Sequence, residues 1–162
     1  MPDPIVEVVT LIDREFDYTN TALGSRPEIH TGTWDRDQRL PAVAVPSSTD
    51  SIITPGETEA TAYDGEGGFY QRHAAEVTVQ CVAGTRDDLR GAGPNGENLN
   101  PKQIRAQLQQ EVYRIAKNYR TTNLRTVLPA GYQDIARGSQ ADDVKPVLAR
   151  QVTLTTTYDY RD

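Results

Sequence analysis

The stretch 100–120, NPKQIRAQLQQEVYRIAKNYR, constrains the chain more than any other. Ile104, Leu108, Val112, Ile115 and Tyr119 follow one another at steps of 4, 4, 3 and 4 residues. At about 100° per residue this spacing draws one apolar stripe along an α-helix. Asn100 suits the N-cap and Pro101 the first helical position, and Gln103 stands where its amide can reach back to the cap. The opposite arc carries Lys102, Gln103, Gln109, Gln110, Arg114, Lys117 and Arg120. Tyr113 interrupts it, about 180° from Ile104, an aromatic ring in the middle of a wet face. A helix with one dry stripe has to cover something flat, and the rest of the chain is read for a sheet.

At 162 residues the chain fits a single domain, 1–162, with a modest core. No run of about 18 apolar residues occurs. The start, MPDPIVEVVT, lacks the basic end and small-residue cleavage site of a secretory signal, so the protein is expected to stay where it is made. Cys81 is the only cysteine and falls inside an apolar alternation, which reads as a buried small hydrophobe. The net charge is −6, and of 17 basic residues only Lys102, Lys117 and Lys145 are lysine. Scarce lysine, aspartate in excess of glutamate and a hydrated acidic surface resemble adaptation to very high salt, where screening removes self-repulsion. The acidity argues against tight nucleic-acid binding, which needs a cationic footprint.

Residues 3–19 read as a first helix, capped by Asp3 and started by Pro4, with Ile5, Val8, Val9, Ile12 and Phe16 on one arc. Leu11 and Tyr18 lie on a second arc, which offers a second contact surface to a neighbouring subunit or widens the buried face. Strands are expected over 28–36 and over 40–45, the latter confined to an edge or to strand ends by Pro41 and Pro46. Residues 47–68 read as a long loop, or a hairpin with thin strands at 51–54 and 58–63. In 69–83 Ala75, Val77, Val79, Cys81 and Ala83 alternate with polar neighbours, the mark of an antiparallel strand with one dry face. A glycine-rich loop is expected over 84–99, a strand over 124–128, a turn-rich connector over 129–146 and a last strand over 147–160. The order predicts an α+β fold, an antiparallel sheet with two main helices on one face and long loops.

Chemistry is sparse. His30 and His73 have no carboxylate or cysteine at ligand spacing. The pairs Asp35–Asp37, Asp87–Asp88 and Asp142–Asp143 match no cation loop, and GEGG at 65–68 lacks the strand and helix of a phosphate loop. No nucleophile, base and orienter stand together in the pattern, so no catalytic, cofactor or metal site is expected. Material for interfaces is plentiful. Tyr113, Arg114, Leu11 and Tyr18 are candidates, and Arg14, Tyr63, Arg72, Arg90, Tyr132, Tyr158 and Tyr160 are expected to be exposed.

The layout resembles the tail terminator (tail completion) proteins of tailed viruses. The resemblance rests on a helix near the N-terminus, the strand FYQRHAAEVTVQCVAG, the helix LNPKQIRAQLQQEVYRIAKNY and the closing strand PVLARQVTLTTTYDY. It covers most of the chain and lies in layout and hydrophobic pattern. It implies an α+β subunit of a hexameric ring that caps the tail tube, stops its polymerisation and receives the head–tail connector protein. DNA would only pass through the lumen, and the family carries no catalytic residues. Together with the salt-adapted composition it resembles a virion protein of the tail or neck from a virus of halophilic archaea, assembled in the host cytoplasm. On this likeness Arg86 and Arg90, with Asp87 and Asp88, fall on an inter-subunit or lumen loop, and Tyr113 and Arg114 on a subunit interface. A head–tail adaptor or stopper, a tail-tube subunit and a small haloarchaeal binding module remain open beside it.

Overall fold

The structure, a computed structural model, describes residues 3–23, 26–32, 41–52, 61–63, 69–84, 100–121, 123–137 and 147–161. Its elements are α1 (Pro4–Glu15), a 3-10 turn (Tyr18–Asn20), β1 (Glu28–Thr31), β2 (Ala42–Ile52), β3 (Thr61–Tyr63), β4 (Phe69–Gly84), α2 (Pro101–Asn118), β5 (Thr126–Arg137) and β6 (Val147–Arg161). The strands form one sheet in the order β1-β2-β4-β6-β5, with β3 paired to β4. This is an α+β fold. All pairings are antiparallel except β1 with β2, which run parallel.

Both helices lie on one face of the sheet, α1 against β1, β2 and β4, and α2 against β4, β5 and β6. The stripe Ile104, Leu108, Val112 and Ile115 is fully buried there and meets Val77, Val79, Cys81, Val152 and Leu154 from the strands. Each such side chain contributes about 1.5–3 kcal/mol relative to exposure. Tyr119 packs on the rim of the same core. The capping box forms as the sequence predicts: Gln103 N–H donates to Asn100 Oδ1 and Asn100 N–H donates to Gln103 Oε1, both at 2.9 Å.

Four expectations are corrected. The connector at 129–146 does not begin at Pro129, because β5 continues to Arg137. Pro129 is tolerated since β5 is an edge strand, and Gly131, at φ +140°, takes up the register shift between Pro129 and Gly131. The loop at 47–68 likewise starts late: β2 runs through to Ile52, with Pro46 inside a register shift between Ala44 and Ser47. Pro41 stands just before the strand, as expected; Ala42–Val45 lie between β1 and β4, and past Pro46, among the described residues, β2 pairs with β4 alone. The strand at 61–63 pairs with β4 rather than with 51–54. Finally, α1 ends at Glu15, and the turn after it carries Tyr18 away from the helix axis.

Candidate functional site

Register brings polar residues to both ends of the helix-covered face. At one end Asp134 of β5 sits between two guanidiniums. Arg150 Nε reaches Asp134 Oδ1 at 2.7 Å, and Arg105 Nη2 reaches Oδ2 at 3.1 Å. Arg150 also donates to Gln109 Oε1 at 2.9 Å, and its guanidinium lies 4.3 Å from the centroid of the Tyr132 ring. The hydrogen bond from Arg150 is the main reason the Asp134 carboxyl stays below its ordinary value, against some opposition from burial. Tyr132 meets Tyr113 edge-on, ring centroids 6.5 Å apart, and Lys117 stands over the Tyr113 ring. Gln109, Gln110, Tyr113, Arg114, Lys117 and Asn118 line a shallow groove of about 360 Å³ along α2.

Beside the core, Glu111 is 2% exposed. It accepts from the Asp17 amide at 2.8 Å and pairs with the Arg114 guanidinium. Arg114 Nη2 also donates to the Glu15 carbonyl at 3.0 Å. Glu111 and Arg114 thereby tie α2 to the end of α1. Hydrogen bonding to Glu111 is the main cause that holds the Arg114 guanidinium above its ordinary value.

At the other end of the sheet, Tyr158 donates to Asp50 Oδ2 at 2.5 Å and stacks on His73 at 5.1 Å. His73 Nδ1 lies 3.6 Å from Asp50 Oδ1. Burial first, then the Asp50 hydrogen bond, drives the Tyr158 hydroxyl well above its ordinary value. A neutral phenol donating to a carboxylate is the stable arrangement here. The trio offers a held imidazole but no nucleophile, and the buried Cys81 thiol is pushed up to about 12, which removes it from thiolate chemistry at neutral pH. Among the described residues no group of three or more His, Cys, Asp or Glu is placed to hold a metal ion. No described helix is long and apolar enough to cross a membrane.

The candidate residues fare unequally. Tyr113 is half-buried against Tyr132, not free on a wet face. Burial, mainly, and the Tyr132 hydroxyl raise its own hydroxyl above the ordinary value. Arg114 is engaged within its own subunit. Leu11 is buried in the core beside Val8 and Ile12, so the second apolar arc of α1 is a wider buried face and not an outer surface. Tyr18 is exposed. Tyr158, expected outside, is fully buried, whereas Tyr132 is 54% exposed as expected. Arg86 and Arg90 lie outside the described residues, as do Asp35, Asp37, Asp87, Asp88, Asp142, Asp143 and residues 65–68. The Asp134–Arg150 and Asp50–Tyr158 pairs were missed by sequence reading. Each joins residues on different strands, and only the pairing register could have revealed them.

No family model and no curated protein sequence matches the chain.

Proposed function

We propose that the protein is a structural, non-enzymatic virion subunit. It assembles into a ring at the neck of a tailed virus of halophilic archaea, where the ring caps the tail tube and meets the head–tail connector protein. The observation that carries this reading is the outer edge of β5. The strand is 12 residues long, and among the described residues nothing pairs with its far side. It also exposes Leu128 (48%) and Tyr132 (54%). Monomeric proteins blunt an edge like this, because unpaired amides and carbonyls beside apolar side chains recruit other chains. Pro129 and Gly131 interrupt the edge at one point only.

The flank at the opposite side of the domain is different, formed by α1 and the short strand β1, with Val6 50% exposed. Two unlike flanks on one domain suit a heterologous contact, which closes into a ring when the rotation per subunit divides a full turn. The helix-free face of the sheet suits a DNA passage. Thr49, Thr78, Thr153, Thr155 and Thr157 share it with Gln133, Gln151 and the exposed acid Glu76, whereas Gln80 on the same face is buried. Arg72 and Arg125 on that side are both paired to Asp159. Such a face offers hydroxyls and amides but little free positive charge to hold phosphate.

Light scattering behind size exclusion in molar KCl, with negative-stain microscopy, tests the proposal. Closed rings of uniform size are expected. A persistent monomer would refute it, and open filaments would point to a tube subunit instead.

A further inference from the structure

Charge in this protein is segregated along the helical layer. α2 contains Lys102, Arg105, Arg114 and Lys117 against the single acid Glu111, a net of +3 in a chain whose net is −6. The remaining residues therefore carry −9. The segment 3–17, which holds α1 and its flanking caps, bears Asp3, Glu7, Asp13, Glu15 and Asp17 against Arg14 alone, a net of −4. The two helices sit over opposite halves of the sheet, α1 toward β1 and α2 toward β5. Arg26, paired with Asp13, reduces the α1 side to −3, and Asp134 and Arg150, paired to each other beside Arg105, leave the α2 side at +3, so one flank of the domain is cationic and the other anionic.

On the cationic flank, Lys102 and Lys117 are exposed at the two ends of α2, and both lie on the outward arc with Gln110 and Tyr113. Lys117 lines the groove of about 360 Å³, whose Tyr113 wall meets exposed Tyr132. Glu111, the only acid on α2, is buried and already bound to Arg114 and the Asp17 amide, so it leaves the outward charge of the helix unopposed. On the anionic flank, Val6 stands exposed among the carboxylates of α1. Each flank pairs an apolar or aromatic centre with a charged margin, and the two margins are of opposite sign.

We infer that the α2 groove receives the α1 flank of a second copy of this chain, so that subunits join head to tail with the cationic flank of one against the anionic flank of the next. This rests on the ring reading and adds to it the two faces that meet and the sign of each. A contact of this kind is polar at its margin. Its ion pairs resist screening only where they touch, which suits a protein of high-salt composition.

Complementary charge reversal tests the inference. One variant carries K102E and K117E, the other E7K, D13K and E15K, which takes the α2 charge to −1 and that of segment 3–17 to +2, and circular dichroism establishes that each is folded. The oligomer is followed by light scattering at the lowest KCl concentration at which the wild-type fold is retained. Each variant alone is expected to associate at least about tenfold more weakly than wild type, because like charges then face each other. Mixing the two is expected to restore oligomers that contain both in equal amounts, since every contact is again between opposite signs. A wild-type oligomer that neither variant disturbs would overturn this inference and leave the ring reading in place. A mixture that stays dissociated would overturn the head-to-tail pairing of these two flanks. A wild-type monomer would remove the ring reading itself.

Discussion

Replacing Glu111 with alanine probes the joint between the two helices. The carboxylate is 2% exposed, and its removal takes away the acceptor for the Asp17 amide at 2.8 Å and the partner of Arg114. Removing one member of a fully buried ion pair costs about 3–5 kcal/mol, because the other charge is stranded. Arg114 is 29% exposed at its side chain and keeps the Glu15 carbonyl, so water and that bond relieve part of the loss. The Asp17 amide forfeits a charge-assisted hydrogen bond on top of this. The expected destabilisation is about 3 kcal/mol, or about 6–12 °C in Tm for a domain of this size. Urea unfolding followed by circular dichroism measures it, with the m-value held constant as the check on two-state behaviour. Glu111→Gln retains an oxygen for the Asp17 amide and should cost about half as much. A loss below about 1 kcal/mol for the alanine variant would refute the assignment of Glu111 as the joint, as would a glutamine variant no better than alanine. By the same geometry, Arg114→Ala should lower the stability of the single subunit.

Three further outcomes follow from other parts of the fold. Gly131→Ala should cost about 1–3 kcal/mol by urea titration: φ is +140° there and no atom lies within 4 Å of an added Cβ, so backbone strain is the whole effect. The Asp134 carboxyl is held below 3.8 in the folded chain. Its contribution is complete above the unfolded value and is lost as pH falls through the lower folded one, so wild type should lose stability more steeply below pH 3.8 than Asp134→Asn. An unchanged acid limb would count against the Arg150 contact as the cause. Cys81 should resist a thiol reagent at pH 8 and react once urea unfolds the chain; stoichiometric labelling of the native protein would contradict its burial.

The sequence made α2 legible because every signal agreed there: cap, first-turn proline, stripe and length. β4 and β6 were legible for a similar reason, since a strand with one dry face alternates and theirs do. Pro46 and Pro129 misled. Each reads as a stop, but a strand absorbs a proline at a register shift, and whether a shift is present depends on the partner strand. Leu11 misled by angle. The sheet beneath α1 is wide enough to bury an arc broader than one stripe, so a residue well off the main line is still inside. The clusters around Asp134 and Asp50 had no local signature. Asp50 and His73 are 23 residues apart, and Tyr158 lies a further 85 residues on. Their meeting depends on how β2, β4 and β6 are aligned, which no window along the chain contains. The direction of β1 was equally hidden, as a four-residue strand carries no mark of its parallel pairing with β2.

The position of β6 has a consequence for how the chain folds. It lies between β4 and β5, and among the described residues β5 joins the sheet only through it. β5 precedes β6 in sequence, and the register starting at Arg137↔Val147 lets the two pair locally, so it is the docking of β6 along β4 that ties both of them to the sheet. That pairing runs from Tyr70↔Arg161 to Gly84↔Val147, and it closes loops from about 60 to 90 residues long before any of its reward is collected. Folding should therefore be slow for a domain of this size, in the range of milliseconds to seconds, and limited by a single closure rather than by either helix. Until that closure, β4 presents an unsatisfied edge while α2 has only part of its floor. The interval before β6 docks is when this chain is most exposed to mispairing with its own kind.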